Sequence, residues 1–473
     1  MKPSIRPVLI TFALVCFALV QNTQAVSPPP DGGYPGGNTA EGQNALLNLT
    51  AGTYNTAVGF LSLTSNTEGS FNTALGAGAL LANTAGSNTG TGAGALLSNT
   101  TGQGNTANGA FALFSNTIGN NNTATGVNAL LNNTDGFSNC AFGWAALASN
   151  TIGSGNIAVG DSALFSNTEG GGNAAVGVEA LGSNTTGFEN TALGNFAMNF
   201  NTEGSQNTAI GGLALWANDT GSYNTAIGQA TLSSNRSGTD NTAVGLQAMY
   251  SNQDGIQNTA VGNGALELNT SGISNTAIGI GALYDSASGS NNSALGAFAG
   301  INVFSASNVI CIGADGQDVS NSTWIGNVYG VTTQSGTTAQ VVVSDDGQLG
   351  TIASSERFKK DIASMDKTSE ALLLLRPVTF HYKTDTKGAP QFGLIAEEVA
   401  KANPALVLRD KEGKPYTVRY DAINAMLLNE FLKEHSKVEQ LEKQIEALTA
   451  GLQKVNAQLE ASKPATQTVL NNR

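Results

Sequence analysis

From Asn38 onward the chain repeats itself every seventeen residues. The unit at Asn55 reads NTAVGFLSLTSNTEGSF and the unit at Asn207 reads NTAIGGLALWANDTGSY. Unit starts fall at Asn38, Asn55 and Asn72, then at Asn88 and every seventeenth residue to Asn292, making sixteen units with a single sixteen-residue step. A unit of this length has no room to bury an apolar face of its own, but stacked units do, so fixed-period self-similarity predicts a solenoid. The consensus is N-T-A-apolar-G-x-x-A-L-x-x-N-T-x-G-x-x, numbered here as positions 1 to 17. The T-A-V block suits a short strand, and Gly59 and its equivalents mark a turn where a side chain would clash. The A-L pair is a second apolar anchor, on a strand or on one helical turn. N-T-x-G is expected to reverse the chain through left-handed backbone. Asn and Thr recurring at equivalent places predict side-chain ladders. With a rise of ~4.8 Å per coil, sixteen coils make a shaft of roughly 75 Å.

Charge separates the chain into two regimes. Residues 26–353 contain 18 acidic residues and one base, Arg236, whereas residues 354–473 contain 16 acids and 18 bases. A shaft of about −17 has no means of neutralising phosphates, which excludes nucleic acid and anionic membrane surfaces as its partners. Its acids, such as Glu169, Glu179 and Glu189, come about one per unit and read as a solvating stripe, not as the paired carboxylates of a glycosidase.

The first residues read as a secretory signal over 1–25: Lys2 and Arg6, an apolar run from Val8 to Val20, and Ala25 as the cleavage point. The run is too short to span a bilayer, and no later segment is long and apolar enough. Cys16 lacks the small preceding residue of a lipidation site. Cys140 and Cys311 stand in small-residue positions of the repeat and read as buried hydrophobes, not as a disulfide or metal site. No metal and no cofactor is expected.

After Asn292 the period loosens. SNVICIG (307–313) and NSTWIG (321–326) keep the strand-Gly block and read as closing coils, and Val341–Val343 with Asp346-Gly347 reads as strand and turn. Lysine, absent from 26–353, becomes common from Ser354. Ser369–Leu375 reads as helix, Val378–Lys383 as strand, Gln391–Lys401 as strand entering helix, and Thr417–Tyr420 as strand. From Asp421 a heptad runs with Asn424, Phe431, Val438, Ile445, Leu452 and Leu459 at a, and Leu427, Glu434, Leu441, Leu448 and Val455 at d, the pattern of a coiled coil.

Two resemblances follow from these residues. The N-T-A-I-G blocks resemble the head repeats of trimeric autotransporter adhesins, whose coils form a left-handed β-roll in a three-fold bundle, although the unit here is longer. SSERFKKDI (354–362), LRPVTFHYK (375–383), FGLIAEEVA (392–400) and the terminal heptads, in that order, resemble the endosialidase-type intramolecular chaperone family, which caps tail spikes and fibres as well as cell-surface proteins. That resemblance covers about 350–460. It implies a homotrimer and self-cleavage with Ser354 as nucleophile, Lys359 as base, Arg357 in support and Ala353–Ser354 as the bond cut. Ser355 stands where the family usually has Asp, which leaves Ser355 with Lys360 as the alternative register. From spacing alone a solvated basic turn is the favoured reading of Ser354 and Lys359. A Lys serves as base when desolvation or neighbouring cations hold it neutral, and Arg357 and Lys360 flank it. His381 and His435 read as strand and helix residues without catalytic roles.

The expectation is therefore a mainly β chain. It is divided into a signal (1–25), a linker (26–37), a parallel β-solenoid shaft (38–306), a neck with closing coils (307–353), a small α+β self-cleaving chaperone domain (354–420), a trimeric coiled coil (421–460) and a tail (461–473). The function expected is that of a secreted or surface, adhesin-like fibre that partners itself, with surface glycans or other cells as targets of the shaft. The alternatives are a prophage tail fibre or tail spike, against which the signal segment argues, and a non-cleaving structural surface protein.

Overall fold

The computed structural model describes residues 34–334, 336–344 and 346–463. The signal segment expected at 1–25 lies outside the described residues, as do most of the linker and tail. The chain divides into two compact units between Thr333 and Gln334.

In the first unit eighteen three-residue strands, from β1 (Thr39–Glu41) to β18 (Thr323–Ile325), form one parallel sheet. Equivalent residues face each other from coil to coil: Thr56 opposite Thr73, Ala57 opposite Ala74, Val58 opposite Leu75. The unit is thus a parallel β-solenoid of seventeen turns, and the two degenerate blocks after Asn292 supply its last strands, β17 (Ile310–Ile312) and β18, paired in register. The strand's middle Ala points inward and, with the Ala and Leu of positions 8 and 9, makes a core in which Ala141, Ala146 and Leu147 are all fully buried. Ala on the strand leaves space for Leu from the opposite wall.

That opposite wall is neither strand nor helical turn. Positions 7 and 9 adopt left-handed backbone, as at Leu61 (φ 60°) and Leu63 (φ 50°), or Asn128 (φ 63°) and Leu130 (φ 52°). Left-handed φ costs a side-chain residue roughly 1–2 kcal/mol. Burying Leu contributes about 1.5–3 kcal/mol, so the tight bend that throws position 9 into the core is tolerated with Leu in place of Gly. Left-handed turning expected at N-T-x-G is not found there: Gly69 has an ordinary φ and is required because a Cβ would lie 2.2 Å from the Ala85 carbonyl of the next coil. Gly59 meets both demands, with φ 134° and a Cβ that would lie 2.5 Å from the Gly76 carbonyl. Cys140 departs from the reading as a buried hydrophobe. It sits at position 2, on the outer side of its strand, and is only half buried, whereas Cys311 at position 3 is buried.

Two asparagine ladders run through the interior. At position 1 the Asn55 side-chain carbonyl accepts the N–H of Asn72 (3.0 Å), while Asn55 Nδ2 donates to the Gly69 carbonyl (2.9 Å). At position 12 Asn133 Nδ2 donates to Asn116 Oδ1 (2.7 Å) and to the Gly136 carbonyl (3.0 Å). Position-13 hydroxyls donate along the shaft as well, Thr100 to the Thr117 carbonyl at 2.9 Å. Among the described residues the buried side-chain polar atoms without a partner are Asn66 Oδ1, Asn269 Oδ1 and Ser286 Oγ. All three mark breaks in the position-12 ladder. The sixteen-residue step turns Asn83 toward the Ala85 carbonyl (2.8 Å) and away from Asn66, and Ser286 is too short to reach Asn269.

The last coil is closed by two substitutions. Trp324 takes the inward alanine position of β18 and packs on the core. Asp318 replaces a backbone acceptor: in inner coils three successive N–H groups, such as those of Thr117, Ile118 and Gly119, converge on one carbonyl of the next coil, Thr134. At the end of the shaft the equivalent N–H groups of Phe304, Ser305 and Ala306 donate instead to Asp318 Oδ1 at 3.0, 2.8 and 2.6 Å. Burial alone would raise the carboxyl's pKa, but the donors Ser305, Ala306 and Phe304, with the Ser305 hydroxyl, together hold it below the usual carboxylate range.

The second unit has its own small core of Val399, Leu406, Val407, Val418 and Met426. Around it lie the antiparallel pairs β21 (Val378–Phe380) with β22 (Gln391–Gly393) and β23 (Val407–Arg409) with β24 (Pro415–Val418). Helix α1 (Ala396–Ala402) follows β22, and α2 (Tyr420–Ala461) ends the described fold. A nine-residue 3-10 segment, Asp366–Leu374, stands where a helix was expected over 369–375. A two-residue pair, β19 (Val342–Val343) with β20 (Leu349–Gly350), flanks the Asp346-Gly347 turn. The strand expected at Thr417–Tyr420 ends at Val418, and Tyr420 instead opens α2 and accepts the Leu394 N–H on its hydroxyl at 3.1 Å.

Two outcomes check this account of the shaft. Ser286→Asn supplies an Nδ2 donor to Asn269 Oδ1 and moves the unpaired acceptor one coil on, beside Val303, so the net gain of one buried hydrogen bond should stabilise the shaft by about 0.5–1.5 kcal/mol in denaturant titration of the full chain. For Asp318, a depressed folded pKa means that its stabilisation is present above the unfolded value of ~3.9 and lost as pH falls through the lower folded value. Asp318→Asn should therefore lower the melting temperature at pH 7 by about 2–4 °C, and that difference from wild type should vanish toward pH 2 in calorimetric scans.

Candidate functional site

The segment linking the hairpin β19–β20 to the second core carries Ser354 and Lys359. A one-turn 3-10 helix, Glu356–Phe358, lies between them, closed by Phe358 N–H to the Ser355 carbonyl (3.0 Å) and Lys359 N–H to the Glu356 carbonyl (2.9 Å). This turn folds the five-residue spacing back on itself, so that Lys359 Nζ reaches Ser354 Oγ at 3.3 Å. Ser355 makes no capping bond, and it is not hydrogen-bonded to Lys360. The Arg357 guanidinium lies over the Phe358 ring, 4.7 Å from its centroid. Every residue from Thr351 to Ser364 is exposed, including both atoms of the pair and the Ala353–Ser354 bond. The arrangement is a hydroxyl held against an amine beside a peptide bond in water.

His381 is exposed just beyond β21. His435 lies on α2, 3.5 Å from Glu439 and stacked on Phe431. Neither hydrogen-bonds to Ser354. Among the described residues no three metal-ligating side chains converge, and no helix is long and apolar enough to cross a membrane.

A second polar cluster was not legible from the sequence. Ser369, fully buried, donates to Glu430 Oε1 (2.5 Å) and accepts from Asn429 Nδ2 (2.6 Å) and Lys433 Nζ (3.2 Å). Lys433 also pairs with Glu430 at 2.6 Å. The Lys433 bond, then the Ser369 bond, hold the Glu430 carboxyl below its ordinary range against a small opposing effect of burial. The cluster ties the 3-10 segment to α2 across sixty residues of chain, a separation that no local spacing encodes. Arg376 and Glu398 make a second tie, two-pronged at 2.6 and 3.2 Å, but both are exposed and add little.

Helix α2 leaves the core after its first turns. Ile423 and Met426 pack inward, whereas the a and d side chains beyond them lie open: Phe431, Leu441, Ile445, Leu448, Leu452 and Val455 are all about half exposed or more. The two polar core positions expected of the heptad, Asn424 and Glu434, fall on the same helix.

Residues 354–408 match the family model described as chaperone of endosialidase. The match begins at Ser354 itself and ends in β23. Neither the curated proteins nor the solved structures contain a significant match to this chain. A C-terminal chaperone-of-endosialidase domain behind a long β-solenoid shaft fits a tail-fibre-like protein.

The Ser369 cluster has a direct test. Ser369→Ala should raise amide hydrogen exchange across 366–374 by at least about tenfold, the equivalent of one lost buried hydrogen bond, while exchange in the shaft strands stays unchanged.

Proposed function

We propose that this chain is a secreted, fibrous homotrimer whose C-terminal unit aligns three copies and then severs itself at Ala353–Ser354. The observation that carries the reading is the 3.3 Å approach of Lys359 Nζ to Ser354 Oγ at the start of the matched domain. In the reaction, neutral Lys359 takes the hydroxyl proton as Ser354 Oγ attacks the Ala353 carbonyl carbon. The C–N bond breaks, the proton passes to the departing Ser354 amine, and an ester joins Ala353 to Ser354 Oγ. Water then hydrolyses the ester, giving an Ala353 carboxylate and regenerating the Ser354 hydroxyl. Arg357 and Lys360 add positive charge beside the developing oxyanion.

Cutting is tied to assembly by solvent. A lysine becomes a base when packing strips water from its ammonium, and in the single chain the whole segment is exposed. Three α2 helices joined along their open a/d stripe would concentrate the three segments, and shielding from water follows from that crowding. Release then leaves the shaft trapped in its assembled state. The shaft itself is the adhesive or structural part, with surface glycans or other cells as its targets, and the signal-like sequence of 1–25 supports display outside the cell. The tail-fibre reading shares this assembly chemistry and differs in where the fibre is displayed.

Expressed wild-type chain should yield two fragments on a denaturing gel, divided before Ser354. Ser354→Ala and Lys359→Arg should each leave one uncut chain, because arginine keeps the charge but cannot act as a base, whereas Lys360→Arg should cut normally. Leu441→Asp with Leu448→Asp should slow cutting at least about tenfold by breaking the coiled coil. Unchanged fragments from Ser354→Ala would remove Ser354 from the mechanism.

A further inference from the structure

The side chains flanking the buried strand alanine, at positions 2 and 4, point away from the shaft's own core. From β7 (Cys140–Phe142) to β18, twelve consecutive strands carry an apolar residue at position 4, beginning with Phe142 and ending with Ile325. Ten of the twelve are exposed, Val159 at 38 % and Leu295 at 53 %, and Ile210 and Val244 are half-buried. Position 2 is almost entirely Thr, Ser, Ala or Ile. Across β2 (Thr56–Val58) to β18 no residue at either position is charged, although residues 26–353 hold 18 acids. The acids fall instead on turn positions, such as Glu68 and Glu169 at position 14.

We propose that this strand face is where copies of the shaft meet, in parallel and in register. The inference rests on the assembly reading above and adds to it the surface used. Twelve part-exposed side chains present on the order of 800 Å² per copy, the size one partner contributes to a standard stable interface and more than single chains usually leave open. The apolar groups recur every ~4.8 Å along the stripe, so a partner must offer the same spacing over the same length, which a second copy does by construction. Charge makes the same choice. Two shafts of about −17 repel on every acidic face, and the uncharged strand rows are where they approach without opposing carboxylates. Glu41, the single charged residue at position 4, stands in β1 at the end of the sheet.

Cys140 is a native reporter of this face, at position 2 of β7 and half buried in the single chain. The full-length chain is treated with N-ethylmaleimide under native conditions, alkylation of Cys140 is followed by peptide mass, and light scattering gives the number of copies. In the wild type, assembled chains should protect Cys140. Val159→Glu with Leu193→Glu should raise its alkylation rate at least tenfold while the strands stay folded by circular dichroism. Glu41 shows that a coil accepts glutamate at position 4. Ile118→Glu, an exposed change at position 14 where other coils carry Glu, should leave Cys140 protected. Trimers whose Cys140 reacts as fast in the wild type as in the double variant would overturn the strand-face inference and leave the assembly reading intact. Equal loss of protection in Ile118→Glu would also overturn it. A wild-type chain that scatters as one copy would overturn the assembly reading itself.

Discussion

The shaft depends on one interaction repeated along its length and broken, among the described residues, only in the position-12 ladder at Asn66 and Asn269: the polar groups of each coil are satisfied by the next. Backbone amides of one coil donate to carbonyls of its neighbour, and the Asn side chains of positions 1 and 12 thread hydrogen bonds along the interior. An isolated coil would leave these groups without their partners and its apolar anchors in water, so no coil is stable by itself. The same dependence explains why both ends are specialised. At the start, Leu49 stands in place of the position-12 Asn and packs on the core. At the finish, a carboxylate and a tryptophan take over the roles of a missing eighteenth turn.

The cost of this architecture is tolerance. With Ala as the inward strand residue and Gly carbonyls within about van der Waals contact of the next coil, there is no slack for larger groups at positions 3, 5 or 15. Variation is pushed outward, to turn positions 6, 7, 10, 11, 14, 16 and 17, where charges and aromatic rings accumulate. The outer strand rows are the exception, being exposed yet uncharged. On the proposed pairing, a fibre that meets copies of itself keeps that surface free of carboxylates and places them elsewhere to stay soluble.

In the C-terminal unit the proposed chemistry and the proposed assembly device both look beyond one chain. The Ser354–Lys359 pair is exposed, and the a and d side chains of α2 beyond Met426 are open among the described residues. In the proposed assembly, additional copies would remedy both. The Ser369–Glu430–Lys433 cluster anchors the root of α2 to the domain, so that the free part of the helix projects from a fixed base.

Periodicity alone determined the solenoid, its seventeen-residue coil and its closing blocks, because a repeat that cannot bury itself must stack. The order of four short blocks likewise marked the chaperone domain, and Ser354 and Lys359 were close enough in sequence for a single turn to join them. Only the tertiary structure decided that the A-L anchor is a left-handed bend, since strain at Leu63 is outweighed by burial that no local propensity records. It alone revealed that Gly69 serves close approach and not a left-handed turn, that Cys140 faces outward, and that Asp318 caps the shaft. The Ser369 cluster was invisible for the same reason: its members meet across sixty residues, and their contact is a property of packing, which a linear spacing does not carry.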